Sequence, residues 1–401
     1  MLRRLVILAA SMSHLLAQPR SPVETAWDLV AKGDRAQAVQ VLQQFIQTNP
    51  GNGDARLLLG SIFTESGDYP AAILHLTEGV RLLPRKADAH NALGEAQTAA
   101  GDDATAEASF RKSIALDAKF VQPRINLAVI LLKNSNPKEA GEHLDRALAA
   151  LGRSAEAAYP LYLRGKAYSE TDAPEKAVTV LKEAVALEPD FEEAWSDLGE
   201  AQKAIFDDDG AFAAYRRSVE LNPDNAISQY RLGAEYLRRG NAHQAVFHLQ
   251  HAFRLDSENQ STANSLQLAL RKDGQMEEAD RVKGKLTEIL RKIDKESQDA
   301  FNALRLNNEG AELEKAGDLK AATEKYRAAL MLDPKHVGIR VNFGVALLRQ
   351  AEWADGLRQL REAARRDPNN QKIKAALADA LDQAPPQFGG NGKALSPATR
   401  R

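Results

Sequence analysis

The stretch GSIFTESGDYPAAILHLTEGVRLLP, residues 60–84, decides the fold because its landmarks recur along the chain. Gly60 is followed twelve residues later by a second small residue, Ala72, and the pair Gly67-Asp68 lies between them. Pro84 closes the stretch. Repeats of this length must be recognised before domains are assigned, because each repeat is one structural unit of a longer array.

The landmarks recur at a spacing of 34 residues. The closing prolines that share this spacing are Pro50 and Pro84, Pro189 and Pro223, and Pro334 and Pro368. The first small residues that share it are Gly60, Gly94 and Ala128, then Gly165, Gly199 and Gly233, then Gly310 and Gly344. Independent landmarks with one period predict a repeat protein rather than a set of separate domains.

A pair of antiparallel helices explains the spacing physically. The two small residues lie where the helix axes come closest, since a leucine at either place would push the helices apart. Glycine ends the first helix in a left-handed conformation, and aspartate or asparagine caps the second. The turns of this kind are Gly33-Asp34, Gly67-Asp68, Gly101-Asp102, Gly240-Asn241 and Gly317-Asp318.

These motifs resemble the tetratricopeptide repeat (TPR). Ala194–Gly199 resembles the opening of that motif, Gly67–Ile73 its middle and Ala329–Pro334 its end. The resemblance covers roughly residues 19–370. It implies an all-α, right-handed α-solenoid superhelix of about ten helix-turn-helix repeats, which begin near residues 19, 53, 87, 121, 158, 192, 226, 260, 303 and 337.

Two irregularities interrupt the period. Three extra residues lie around 152–155, where a loop is expected, and nine extra residues lie between Gln267 and Gly310. The second irregularity divides the array into repeats 1–8 at 18–302 and repeats 9–10 at 303–370. An elongated helix near 279–302 carries an apolar stripe over 282–293, which either covers neighbouring helices or mediates self-association with another chain.

The ends of the chain lie outside the repeats. Residues 371–384 form an amphipathic pattern typical of a capping helix, and residues 385–401 are too polar and glycine-rich to pack. Residues 1–17 combine a basic start with an apolar run, which predicts a signal peptide cleaved after Ala17 and an exported, periplasmic or secreted protein. The alternative is an apolar first helix in a cytoplasmic protein.

Composition excludes several functional classes. The chain has no cysteine, so disulfides, thiol nucleophiles and cysteine-ligated metals are absent. Fifty-three basic residues nearly balance 55 acidic ones, and no basic block is interleaved with aromatics, so nucleic acid is not an expected partner. No segment beyond the N-terminal run approaches the length needed to span a bilayer. No catalytic, phosphate-binding or cofactor-binding motif is present, which predicts a non-enzymatic protein without cofactors.

Two clusters resemble metal sites only superficially. His248 and His251, with His243 nearby, fall on one helix but are expected to be scattered polar residues of its surface. The run Asp207-Asp208-Asp209 lacks the alternating ligands of a calcium loop and is expected to cap the following helix.

The resemblance places partner binding in a concave groove lined by the first helix of each repeat. The residues predicted to contribute most are two tyrosines with neighbouring cations and three asparagines placed to bind peptide backbone: Asn126, Tyr162, Lys166, Tyr230, Arg238, Asn308 and Asn342. Only Asn126 and Arg231 match the residue set that binds chaperone C-terminal carboxylates. The expected function is a scaffold that binds proteins or extended peptides. The alternative is a non-catalytic subunit that brings an enzyme to its substrate.

Overall fold

The structure is a computed structural model that describes residues 20–367 and 370–388, and the secondary structure of this part is helical. The predicted signal peptide, Pro368 and residues 389–401 of the predicted tail lie outside the described residues. The chain divides into two compact units, Met1–Ala214 and Tyr215–Arg401, with the boundary inside one helix. No helix of the described part is both long enough and apolar enough to cross a bilayer.

Unit 1 is built from consecutive helix pairs. Its helices are α1 (Pro22–Ala31), α2 (Arg35–Thr48), α3 (Gly53–Ser66), α4 (Tyr69–Leu82), α5 (Ala87–Ala99), α6 (Asp103–Leu116), α7 (Gln122–Lys133), α8 (Pro137–Leu151), α9 (Ala158–Glu170), α10 (Pro174–Leu187), α11 (Glu192–Ala204) and the first half of α12 (Asp208–Leu221). From α1 to α11 each helix packs against the next, and the first helices of neighbouring pairs also touch, as α3 does with α5 and α7 with α9. The first helices therefore line one face of the unit.

Unit 2 continues the same arrangement with one exception. After the second half of α12 it contains α13 (Ala226–Arg238), α14 (Ala242–Leu255), α15 (Gln260–Lys272), α16 (Met276–Lys315), α17 (Leu319–Leu332), α18 (Val337–Arg349), α19 (Trp353–Arg366) and α20 (Gln371–Gln383). The described residues thus form twenty α-helices, which confirms the expected all-α fold class.

The turns inside the helix pairs confirm the predicted chemistry. Gly67 adopts a φ of 82°, and the Asp68 carboxylate accepts a hydrogen bond from the backbone N–H of Ala71 at 3.2 Å. Gly317 and Asp318 repeat this arrangement in unit 2. Glycine enters the left-handed region at little cost, and the aspartate pairs an N–H that the helix itself leaves without a partner.

Four pairs form the same turn without glycine. The left-handed position is occupied by Ser135, Asp172, Phe206 and Ala351, with φ between 54° and 63°. A residue with a Cβ pays roughly 1–2 kcal/mol for this conformation. The packed helices on either side must compensate for that cost, because the local sequence alone disfavours the turn.

The small residues lie at the closest helix contacts, as predicted. A Cβ added to Gly60 would lie 2.5 Å from Leu76 Cγ, and one added to Gly94 would lie 2.6 Å from Phe110 Cε1. Ala72, the second small residue of its repeat, is fully buried. These positions set the separation of the helices within each pair.

A second recurring contact joins neighbouring repeats. The carbonyl of a closing proline accepts a hydrogen bond from the side chain six residues later, as in Trp195 Nε1 to Pro189 O at 2.9 Å. Gln229 Nε2 donates to Pro223 O in the same way at 2.7 Å. Residues of different types make this contact in different repeats, so it leaves no simple sequence pattern.

The three extra residues near Gly152 form a short loop. α8 ends at Leu151, Gly152 takes a φ of 60°, and Ala155–Ala157 form one turn of 3-10 helix before α9. The extra residues lie entirely between α8 and α9, so the helix-pair pattern continues unchanged from α9.

The nine extra residues before Gly310 form helix instead of a loop. α16 is one helix of 40 residues, and it crosses the predicted boundary at 302/303 without a break. Its first half serves as the second helix of the eighth repeat, and its second half as the first helix of the ninth. The boundary between the compact units lies at 214/215, and both halves of α16 belong to unit 2. No glycine, proline or helix-ending residue interrupts the segment Lys285–Glu309, which is why the helix continues.

The end of the array also differs from the prediction in detail. α20 packs against α19, and Pro386–Phe388 form a further 3-10 turn. Phe388 packs against the cluster that contains Leu357 and Leu360. Residues 385–388, the first of the predicted tail, therefore pack on the array, because the Phe388 side chain has apolar partners there.

Candidate partner-binding site

A cavity on the face lined by the first helices is the candidate binding site, and we call it the aromatic pocket. It has a volume of about 400 Å³ and lies between α7 and α9. Its lining residues are Val129, Leu132, Lys133, Tyr159, Tyr162, Leu163, Lys166 and Glu170. Residues three or four apart share one face of a helix, so the two helices present these side chains to the same space.

Tyr159 and Tyr162 form an aromatic wall of the pocket, and the Phe191 ring packs against both. The ring centroids of Tyr162 and Phe191 are 4.9 Å apart, and Tyr159 lies 6.2 Å from Tyr162 and 6.4 Å from Phe191. These separations are typical of favourable aromatic pairs. Tyr159 remains exposed while Tyr162 is half-buried, so the wall is held in place yet still accessible.

Cations border the aromatic wall. Lys166 Nζ lies 5.6 Å from the centroid of the Tyr162 ring, a cation–π contact. Lys133 forms an ion pair with Asp103. Burial, reinforced by the nearby carboxylate of Asp197, raises the pKa of the Tyr162 hydroxyl, so this residue stays a neutral hydrogen-bonding group. The pocket thus combines apolar area with the ammonium groups of Lys133 and Lys166 and the carboxylate of Glu170.

Of the predicted site residues, the structure brings Tyr162 and Lys166 together here. Sequence reasoning missed Tyr159 and Phe191. Tyr159 had a usable signal, because it precedes Tyr162 by three residues on the same helix face. Phe191 had none, because it lies just before α11 and contacts the two tyrosines only through packing between repeats.

Asn126 contacts other side chains of the array. Its amide donates to Asn91 Oδ1 at 3.3 Å and to Glu95 Oε1 at 3.1 Å, and its carbonyl accepts from Gln122 Nε2 at 2.8 Å. The two bonds that Asn126 donates link α5 to α7. Asn126 would have to break them to bind the backbone of a peptide.

The other two predicted asparagines lie in unit 2. Asn342 donates to Asn307 Oδ1 at 2.9 Å, which links α18 to α16. Asn308 is exposed and lines a second cavity, of about 760 Å³, together with Phe301, Leu304 and Lys325. Asn308 and Asn342 occupy the same position in consecutive repeats, but Asn308 borders an open cavity and Asn342 is hydrogen-bonded to a neighbouring helix.

Tyr230 and Arg238 lie on α13, also in unit 2. Tyr230 packs against the apolar cluster that contains Leu249 and Leu266. Arg238 forms an ion pair with the buried carboxylate of Glu235 at 2.6 Å. Both side chains thus have partners within their own unit.

The histidine and aspartate clusters take structural roles. His248 is buried, stacks on Tyr236 and contacts Gln229 Oε1 through Nδ1 at 2.8 Å, and burial lowers the pKa of its imidazole. His251 and His243 approach different carboxylates, Asp224 and Asp273. Asp207 accepts a hydrogen bond from Gly210 N at 3.0 Å, which confirms its predicted capping role. Within the described residues, no three such side chains are grouped to hold a metal ion.

Comparison with known protein families supports the assignment of the helix pairs as repeats. One model of the tetratricopeptide repeat matches residues 29–95 and 313–380, and another matches residues 162–226. The protein belongs to the tetratricopeptide repeat family. Repeats of this family form protein-interaction scaffolds, and this coarse description applies to the present TPR protein.

Individual relatives of this TPR protein share only part of it. The heat-shock cognate co-chaperone sgt12 of Aspergillus fumigatus is 33% identical over 104 residues, which cover 25% of this chain and 30% of that protein. Among solved structures, PilF of Pseudomonas aeruginosa has a TM-score of 0.49 and 18% identity, over 53% of this chain and 95% of that one. YrrB, a TPR protein with an unusual peptide-binding site, has a TM-score of 0.41 and 19% identity, over 47% of this chain and 96% of that one. Likeness at this level carries no conclusion about partners.

Proposed function

We propose that this TPR protein is a non-enzymatic scaffold that binds an extended peptide segment of a partner protein in the aromatic pocket. The single observation that carries the proposal is the wall formed by Tyr159 and Tyr162, supported by Phe191 and open to solvent beside Lys166. Tyrosines dominate binding hot spots because they bury a large apolar area and still offer a hydroxyl group.

The chemistry of the pocket defines the peptide. An apolar or aromatic side chain of the peptide packs on Tyr159 and Tyr162, and an acidic residue next to it pairs with Lys166. We expect the peptide to be extended because the lining residues of α7 and α9 form an open groove between two helices. Extended segments also let side chains enter such a surface at alternate positions.

The binding prediction is tested with peptides selected from a random library against the purified protein. The double change Tyr159→Ala and Tyr162→Ala should weaken a selected peptide roughly tenfold or more, because it removes the central anchors. Fluorescence anisotropy measures the affinity. Lys166→Glu, at the edge of the pocket, should weaken acidic peptides selectively and leaves the aromatic wall intact.

Leu74→Ala is the matched control for this experiment. Leu74 is an exposed apolar residue of α4, away from the pocket, and its removal should leave the affinity unchanged. Unchanged affinity in both the double variant and Lys166→Glu would show that peptides bind elsewhere. If partners captured by the pocket in the native organism carry active sites, the scaffold serves to recruit enzymes.

We also propose that the protein is exported. Support comes from residues 1–17, where the basic residues Arg3 and Arg4 precede the apolar run from Leu5 to Ala17. N-terminal sequencing of the protein from its native organism should find a start at Gln18. A protein that still begins at Met1 and fractionates with the cytoplasm contradicts export.

A further inference from the structure

The long helix α16 carries an uncovered apolar stripe. On its N-terminal half, Val282 and Ile289 are buried in the cluster that α15 shares with α16. Beyond the end of α15 the same side of the helix continues with Leu290, Ile293, Phe301 and Leu304. Their exposed fractions are 39%, 43%, 66% and 46%.

The stripe is one continuous face rather than a set of scattered residues. With 3.6 residues per turn, Leu290, Ile293, Ser297, Phe301 and Leu304 fall within about 80° of arc around the helix. The interpretation that 282–293 covers neighbouring helices holds for Val282 and Ile289. The residues available to another chain lie further along the helix.

The fused repeat boundary explains why the stripe is uncovered. In a regular repeat, apolar residues such as Leu93 and Ala96 of α5 pack against the second helix of the preceding repeat. At the corresponding places in the ninth repeat stand Glu309 and Glu312, which line the open 760 Å³ cavity beside Phe301 and Leu304. No preceding helix packs there because that helix is the first half of α16 itself.

The charges beside the stripe have a distinctive order. Arg291, Asp294, Arg305 and Glu309 lie along one flank, between about 40° and 100° from Leu290 on the helix circumference. Their order is positive, negative, positive, negative. When the helix is reversed, the order becomes negative, positive, negative, positive, so the flank is complementary to its own antiparallel copy.

We propose that two copies of this protein associate through antiparallel pairing of their α16 helices, about a two-fold axis near residues 299 and 300. Arg291 then lies opposite Glu309 of the second copy, and Asp294 lies opposite Arg305. Ile293 packs beside Leu304 of the second copy. Phe301 packs over Ser297, whose small side chain leaves room for the ring.

The charge order favours a second copy of α16 as the partner and an antiparallel direction of pairing. A parallel, in-register pair would set this flank against the opposite flank of the second helix, so the four charges would not pair with one another. A helix from an unrelated partner would need the same charge order and a small residue opposite Phe301. A second copy of α16 has both features, and it has them by symmetry.

The predicted dimer is reversible. The paired segment of α16 from Leu290 to Glu309 is about 29 Å long, which gives a footprint of roughly 300 Å² for a helix 10–12 Å wide. A standard interface covers about 800 Å² on each partner. We therefore expect a dissociation constant on the order of 10–100 µM.

Sedimentation velocity of the full chain tests the association over concentrations from tenfold below to tenfold above that range. Phe301→Asp should raise the dissociation constant roughly tenfold or more, because it places a charge in the centre of the seam. Met331→Asp, at an exposed apolar residue of α17, is the matched control and should leave association unchanged. A wild-type protein that stays monomeric throughout, or a dimer indifferent to Phe301→Asp, overturns the proposal.

A charge exchange tests the direction of pairing. Asp294→Arg alone and Arg305→Asp alone should each weaken the dimer, since each places like charges opposite one another. The double variant should regain most of the wild-type affinity, because it restores opposite charges across the two-fold axis. Failure of the double variant to regain affinity, with circular dichroism showing an intact helical fold, rules out the antiparallel register.

Discussion

Gly60→Leu is expected to lower the free energy of unfolding of the first repeats by about 3 kcal/mol or more, since overpacking on this scale destabilises a close-packed core. A Cβ at this position already lies 2.5 Å from Leu76 Cγ and 3.1 Å from the carbonyl oxygen of Ala72. The leucine side chain can move, but the backbone carbonyl cannot move without displacing α4. The helices must therefore separate.

Hydrogen exchange of the amides in α3 and α4 measures this effect. Repeats contact only their neighbours, so the loss should be largest in these two helices and fade along the array. Gly284→Leu is the matched control, because Gly284 lies inside α16 with nothing within 4 Å of an added Cβ. That change should stabilise α16 by up to about 1 kcal/mol through helix propensity. Equal protection in Gly60→Leu and the wild type would contradict the close approach of α3 and α4.

Tyr326→Ala is expected to cost about 3–5 kcal/mol, the range found for removing a buried aromatic side chain. Tyr326 of α17 is 1% exposed, and its ring fills the space above Gly310, where an added Cβ would lie 2.8 Å from Cε1. It also touches the cluster that contains Phe343 of α18. The change leaves a cavity at the centre of the ninth repeat, so α16, α17 and α18 all lose packing.

Tyr326→Phe separates the ring from the hydroxyl group. The hydroxyl donates to Glu314 Oε2 at 2.9 Å, while Arg349 Nη1 donates to Glu314 Oε1 at 2.5 Å. The carboxylate therefore keeps a charged partner after the change, and the loss should be only about 1 kcal/mol. Chemical denaturation followed by circular dichroism, with hydrogen exchange in α17, measures both variants. Similar losses in the two variants would mean that the hydrogen bond, and not the ring, stabilises this repeat.

The candidate site was only partly predictable from the sequence. Tyr162 and Lys166 follow from their places on a first helix, and helix periodicity would have added Tyr159. Asn126 shows why the rest could not be foreseen. Its place in the repeat suits backbone binding, but whether its amide is available depends on Asn91 and Glu95 of the neighbouring helix. Position within a repeat does not determine hydrogen-bond partners across repeats.

The sequence by itself determined the period, the number of helix pairs and the glycine turns. It could do so because helix ends, caps and close contacts depend on residues near in sequence, such as Gly67 and Asp68 or Gly60 and Ala72. Only the tertiary structure decided that Phe206 takes a left-handed turn and that Phe191 packs against Tyr162. The physical reason is that these outcomes depend on packing against neighbouring helices, which can override local preference in a close-packed array.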